Sequence, residues 1–372
     1  SPTLQEGGEV RAEAGGHDRY QIGVASRGAF DADGDFSYSV AALARRSGTR
    51  FDRVEEKRLA IAPVLTWSPD NATTLTLRGF YSHDPEGGYF NSTLARSVAP
   101  AQYRAALNSK LNLGDPGFDG FERTSYGVGY AFERELGQAS FQSSLRYARN
   151  ETNFASLQLT STLTSAGLLP RAAIRSDESA KGVSTDNRLT YDLAHGKVKH
   201  QLLVGLDHQS QTADWLYSFG AATSLNVLAP VYDQPVGPFM TIVDNRQTKR
   251  QTGLYVQDQI SFGGLRVTLS ARHDWTRQKT HDNPSGADSR QTDEHTTYRA
   301  GALYLFPSGL APYVSYSTSF EPTIGVDASG APFRPTTARQ FEGGVKYQPA
   351  DTPLLITASA FDIKQDNTLT PG

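Results

Sequence analysis

Two histidine–aspartate neighbours, His273-Asp274 and His281-Asp282, come nearest in this sequence to an acid–base or metal-ligating set. Both pairs are consecutive. In an extended strand consecutive side chains leave on opposite faces, so neither pair converges on one proton or one ion. Asp31, Asp33 and Asp35 resemble the first half of a calcium loop, yet the downstream acidic ligand that would complete it is missing. A tight turn accounts for them better. No Gly-x-Ser-x-Gly, His-Glu-x-x-His, phosphate-loop or dinucleotide fingerprint occurs. Without cysteine there is no thiol nucleophile, thiolate metal site or disulfide. The sequence predicts neither covalent catalysis nor a resident cofactor or metal.

The elements that would carry any other function are strands. The 372 residues hold 38% apolar side chains, and mean hydropathy is -0.46. No apolar run approaches the ~20 residues of a spanning helix. A barrel strand needs only about ten residues and alternates apolar with polar, so low hydropathy does not exclude one. Period-two alternation dominates. Leu265, Val267, Leu269 and Ala271 share one face, and Arg266, Thr268, Ser270 and Arg272 the other; Leu75, Leu77, Gly79 and Tyr81 oppose Thr74, Thr76, Arg78 and Phe80. Lipid on one side and a wet lumen on the other would produce this pattern, and so would a sandwich sheet with a solvated face. A net charge of -3 gives no bulk attraction for nucleic acid.

Connection lengths favour the barrel. About fifteen strands are expected, near 6–15, 18–30, 35–46, 57–68, 72–83, 124–135, 138–153, 182–195, 198–215, 248–261, 264–277, 293–306, 309–318, 336–349 and 353–367. Tight turns such as Asp31-Ala-Asp-Gly34, Ser68-Pro-Asp-Asn71, Leu136-Gly-Gln138, His195-Gly-Lys197 and Gly263-Gly264 alternate with long connections at 84–123, 154–181, 216–247, 278–292 and 319–335. Strict alternation puts every tight turn at one end of the sheet and every long loop at the other. Outer-membrane barrels are built this way, with short periplasmic and long external connections. Aromatics cluster toward strand ends, among them Trp67, Phe80-Tyr81, Tyr89-Phe90, Trp275, Tyr313, Tyr316 and Phe320, as membrane-interface girdles do.

Several segments then resemble the TonB-dependent siderophore receptors, most closely the ferrichrome-type (hydroxamate) branch. They are Tyr313-Val-Ser-Tyr-Ser-Thr-Ser-Phe-Glu-Pro322, Phe333-Arg-Pro335, Gln340-Phe-Glu-Gly-Gly-Val-Lys-Tyr-Gln-Pro349, Gln251-Thr-Gly-Leu-Tyr-Val-Gln-Asp-Gln259, Ser270-Ala-Arg-His-Asp-Trp275 and Arg58-Leu-Ala-Ile-Ala-Pro-Val-Leu-Thr-Trp67, matching in order along nearly the whole chain. The resemblance implies an all-β, antiparallel transmembrane β-barrel in the bacterial outer membrane. Residues 1–372 would form about fifteen strands of a 22-stranded barrel domain, with the plug domain and the remaining strands outside this sequence.

The implied function is capture and import of a ferric siderophore whose own oxygens hold the iron. The implied partners are the TonB complex, engaged through the missing N-terminal region, and outer-membrane lipid or lipopolysaccharide, with the receptor acting as a monomer. By the same resemblance the chelate would be contacted by Tyr89 and Phe90, Gln158, Trp215, Tyr217 and Phe219, and Phe320 and Phe333, with structural packing the favoured role for the last two. Ser92 stands where the family has a further aromatic, and Leu157, Gln158 and Leu159 where the ferrichrome type has paired tyrosines. That loop's disulfide is absent. These departures weigh against ferrichrome itself, not against the transport class. Uptake of a vitamin or glycan, a passive porin or adhesin barrel, and a soluble all-β binding module are the alternatives.

Overall fold

A computed structural model describes residues 6–31, 33–88, 99–105, 107, 110–323, 332–350 and 352–369. Fifteen strands join in one antiparallel sheet in chain order. They are β1 (Gly7–Gly15), β2 (Arg19–Ala29), β3 (Phe36–Gly48), β4 (Glu55–Asp70), β5 (Thr73–Gly87), β6 (Gly120–Leu136), β7 (Ala139–Leu159), β9 (Arg171–His195), β10 (Val198–Ala222), β12 (Val236–Phe262), β13 (Leu265–Asp282), β14 (Asp288–Tyr304), β15 (Leu310–Glu321), β16 (Thr336–Tyr347) and β17 (Ile356–Asp366). Two short strands, β8 (Leu168–Leu169) and β11 (Leu225–Asn226), pair with each other within the loops. The sheet thus contains the fifteen strands that alternation and turn chemistry predict.

Turn chemistry sets one end of the sheet. Gly137, Gly196 and Gly263 have φ of 72°, 58° and 55°, the left-handed region that two-residue hairpins require. At the first turn the Phe36 amide donates to Asp31 Oδ1 at 3.1 Å, a structural role for that aspartate. At Ser68-Pro-Asp-Asn71, β4 continues through Asp70 and the hairpin closes at Asn71-Ala72. The predicted long connection at 278–292 is corrected to the five residues 283–287, because β13 and β14 extend toward each other. β9, β10 and β12 reach 25, 25 and 27 residues. At ~3.3 Å per residue that is about 80 Å of strand, well beyond a tilted crossing of a ~30 Å hydrocarbon layer. The excess rises as a rim at the long-loop end.

Register assigns each face. Directly paired residues share a side of the sheet, and the apolar side carries Val24, Ile61, Leu77, Val128, Leu189, Val204, Val256, Leu269 and Val314, most of them well exposed. A sheet that offers Leu and Val rows outward has no protein core on that side, as expected against lipid. Two aromatic belts bound the rows. Phe36 and Trp67 (6.3 Å between centroids), Phe132 and Phe141 (6.3 Å), and Tyr304 lie toward the short turns. Tyr81, Tyr126, Tyr147, Trp275 and Tyr298 lie toward the loops. On β6 and β7 the belts are six residues apart, about 20 Å along the strand.

The opposite face is polar. On it Arg272 pairs with both Asp207 and Asp274, and Tyr255 donates to Asp186 at 2.5 Å. Tyr255 lies over Gly205, where a Cβ would come within 2.2 Å of the ring, so a larger residue at that strand position would have to displace the phenol.

Candidate ligand-binding site at the long-loop end

Toward the loops the polar face changes character from charged to aromatic. One row of directly paired residues crosses five strands: Phe121 of β6, Phe154 of β7, Ser176 of β9, Tyr217 of β10 and Val243 of β12. Phe121 and Phe154 meet edge to face, with centroids 6.2 Å apart. The row nearer the membrane contains Arg123, Thr152, Glu178, Trp215 and Asn245, and the row nearer the loops Ser156, Ile174, Phe219 and Met240. Period two along β10 thus brings Trp215, Tyr217 and Phe219 to one face. The indole and phenol centroids are 6.2 Å apart, and Trp215 is 41% exposed. The patch presents wide, rigid, largely apolar area, the chemistry that grips a bulky ligand at little entropy cost.

The remaining predicted site residues divide. Gln158 lies on the same face as Phe154 and Ser156, and its amide donates to Ser156 Oγ at 3.2 Å. Leu157 and Leu159 point to the other side: Leu157 is 1% exposed, and Leu159 packs on the loop core. Phe320 and Phe333 are not part of the patch. Phe320 stacks on His295 of β14 at 5.0 Å, and the Phe333 carbonyl accepts from Gln291 Nε2 of the same strand at 2.9 Å. Tyr89, Phe90 and Ser92 lie outside the described residues. His273 and Asp274 take opposite faces, the former against Thr296 and the latter against Arg272. Phe121 and Phe154, which join this patch, were not among the residues singled out from the sequence, although alternation through Phe154, Ser156 and Gln158 carries the signal.

Three loops fold together above the patch. Ala99, Tyr103, Leu107 and Leu113 of the β5–β6 connection pack against Leu169 of the β7–β9 connection and Leu225 and Val227 of the β10–β12 connection. The β8–β11 ladder and the Val227 amide bonded to the Gly167 carbonyl (3.0 Å) stitch the backbones. At the base Arg171, only 5% exposed, donates to the carbonyls of Leu113 (3.2 Å), Gly114 (2.7 Å) and Thr223 (3.0 Å). Fully buried Asp115 accepts from the amides of Gly117 (3.0 Å), Asp233 (3.0 Å) and Gln234 (3.3 Å). Asp119 accepts from the amides of Leu157 (2.7 Å) and Asp115 (3.0 Å). The only advance sign was the turn-rich run Asn112-Leu-Gly-Asp-Pro-Gly-Phe-Asp119.

Burial pushes the Asp119 carboxyl up from 3.8 to about 6, with the Asp115 charge adding to the rise and the two amides and Arg171 opposing it. A carboxyl raised on folding contributes stability that is fully present below its ordinary value and is lost as pH rises through the raised one. Amide protection in 110–119 and at Leu157, corrected for intrinsic exchange, should therefore increase from about pH 7.5 to about pH 5. Asp119→Asn should flatten that dependence. A profile unchanged by this substitution would exclude Asp119 as its source.

The comparisons with known proteins agree with this architecture. Residues 66–372 match the family model described as TonB dependent receptor-like, beta-barrel. The chain is 32% identical over 399 residues to the ferrichrome outer membrane transporter/phage receptor of Escherichia coli, and 30% identical over 376 residues to the ferrioxamine B receptor of Salmonella typhimurium. Each match covers 99% of this chain and 53% of the relative, so the chain spans about half the length of the curated relatives it matches. Among solved structures, the ferripyoverdine receptor of the Pseudomonas aeruginosa outer membrane superposes with a TM-score of 0.81 at 18% identity, covering 99% of this chain and 50% of that one. The siderophore receptor PiuA of Acinetobacter baumannii superposes at 0.78 with 19% identity, covering 97% and 57%. Lipid-facing rows between two aromatic belts, a polar inner wall and alternating short and long connections all fit the family match, and the chain belongs to the β-barrel family of TonB-dependent receptors of the outer membrane.

Proposed function

We propose that the protein carrying this chain binds a ferric siderophore of the hydroxamate type at the cell surface and imports it with energy delivered by TonB. The observation that carries the reading is the aromatic patch of Phe121, Phe154, Trp215, Tyr217 and Phe219 on the inner wall at the long-loop end. A ferric trihydroxamate is bulky and carries little charge, and its iron is enclosed by the chelator's own oxygens. It calls for aromatic area rather than metal ligands. Among the described residues no group of three or more His, Cys, Asp or Glu is placed to hold a metal. The relatives named for ferrichrome and ferrioxamine B support the hydroxamate class. The barrel performs no covalent chemistry in this scheme; it supplies the binding funnel and the passage wall. TonB acts through a segment N-terminal to the barrel, and the receptor functions as a monomer.

The outer face supports contact with lipopolysaccharide. Level with the upper aromatic belt, Arg149, paired with Tyr126, continues into one row with Lys181, Thr212, Thr248, Lys279 and Arg290, and Arg250 and Arg277 stand in the next. Cations at the height of the outer-leaflet headgroups suit anionic phosphates.

The reading is tested by tryptophan quenching of the purified receptor with ferric hydroxamates, ferric catecholates, cobalamin and a glycan. Saturable quenching by ferric hydroxamates at low concentration is the expected result. A response to cobalamin or the glycan with none to any ferric chelate would overturn it.

A further inference from the structure

Ser176 sits between two side chains of the inner wall. Its Oγ accepts the Trp215 Nε1–H at 3.1 Å and donates to Glu178 Oε1 at 2.7 Å. Glu178 and Trp215 are directly opposed across β9 and β10. Buried Ser176 thereby holds an exposed indole and an exposed carboxylate side by side. Both line a recess of about 280 Å³, together with Ala180, Ala213, the amides of Asn150 and Asn245, and Asp214, whose charge is already met by Arg246 at 2.5 Å. Pockets that hold whole ligands run to roughly 300–1,000 Å³, so this one suits an arm of a chelate rather than the chelate itself.

Charge decides what kind of arm. Among the described residues, no Lys or Arg nitrogen forms an ion pair with Glu178. Nearby cations of the same face are already matched. Arg123 pairs with Asp84 at 2.7 Å, and Lys249, four residues along β12 from Asn245, with Glu321 at 3.8 Å. Arg123 stands in the Glu178 row two strands away, about 10 Å at the spacing of paired strands. An unmatched carboxylate beside an aromatic face attracts a primary ammonium twice, by ion pairing and by the ring quadrupole. The methylenes of an alkyl arm would lie over Ala180 and Ala213, where no side chain obstructs them.

We propose that this recess is the subsite for a positively charged terminal arm, so that the preferred ligand is a linear ferric trihydroxamate ending in a free primary ammonium. The inference rests on the ferric hydroxamate reading above and adds a selectivity within that class. Glu178 supplies the charge, Trp215 the aromatic wall, and Ser176 positions both.

The test compares a ferric linear trihydroxamate bearing a free terminal amine with its N-acetylated form, which has the same iron centre without the positive charge. Dissociation constants are measured by tryptophan quenching on the receptor in detergent, for wild type, Glu178→Gln, Ser176→Ala and Glu135→Gln. Glu135 is an exposed carboxylate at the short-turn end of β6. Retained heat-modifiable gel migration establishes that each variant is folded. We expect wild type and Glu135→Gln to favour the free amine about tenfold, equivalent to about 1.4 kcal/mol. Glu178→Gln should bring the ratio to about one, mainly by weakening binding of the amine, and Ser176→Ala should reduce it. A wild type that binds both forms equally, or a Glu178→Gln variant that keeps the preference, overturns the subsite and leaves the hydroxamate reading intact. Binding of neither form, with a response to cobalamin or a glycan, removes the reading itself.

Discussion

Replacing Arg171 by Met should release three loops together while leaving the barrel folded. The guanidinium donates to carbonyls from two separate connections, at Leu113 and Gly114 on one side and Thr223 on the other. Methionine fills much of the volume but donates nothing, so three carbonyls lose their partner in a place where water cannot easily replace it. Buried Asp115 and partly buried Asp119 lose the favourable charge of Arg171 at the same time. Removing one member of such a buried charged set costs about 3–5 kcal/mol. That corresponds to opening of the loop assembly about 150 to 5,000 times more often. Hydrogen exchange and limited proteolysis at 110–119 and 223–235 are the measurements, with thermal unfolding of the barrel as the reference. The lipid-facing strands make no use of Arg171, so their transition should not move. Protease resistance equal to wild type would show that the leucine core alone holds the loops. Arg171→Lys keeps the charge but cannot reach both connections with one planar fork, and should fall between the two.

Removing two aromatic rings from the inner wall should weaken ligand binding more than any other change to the exposed surface. In Tyr217→Ala with Phe219→Ala, both side chains come from one face of β10, and Phe219 is 42% exposed. Exposed rings contribute little to folding, so the strand, paired on both sides along its length, should persist. Aromatic anchors at binding sites are worth about 2–4 kcal/mol when truncated, roughly 30- to 1,000-fold in affinity. Titration of the double variant with a ferric hydroxamate should show a loss in that range. Phe320→Ala should show little, because that ring is occupied by His295 of β14, away from the patch. If Phe320→Ala is as damaging as the β10 pair, the binding surface has been placed on the wrong strands.

What could be read without coordinates was whatever depends on local periodicity. The side-chain period of a strand is two, so the apolar rows, the polar rows and the number of strands follow from residue order. Gly137, Gly196 and Gly263 fix the hairpins because few other residues accept their backbone angles. The same arithmetic put Trp215, Tyr217 and Phe219 on a common face. It did not fix where strands end: β9 and β12 continue past the membrane through Ser, Thr, Asn and Arg residues that also suit loops, and only pairing with neighbours keeps them extended. Likewise 278–292 read as a long loop, whereas β13 and β14 narrow it to 283–287.

The loop assembly was illegible for a different reason. Leu113, Leu169 and Leu225 are separated by more than fifty residues at each step, and nothing local marks them as neighbours. Arg171, Asp115 and Asp119 likewise look like ordinary loop polars until three connections close over them. The sequence by itself determined the faces of this protein, since alternation is a property of consecutive residues. Only the tertiary structure decided which residues of one face stand side by side, as Phe121 does with Phe154 and Glu178 with Trp215, and which polar groups are sealed from water. Both depend on strand register and loop packing, which join residues far apart in the chain.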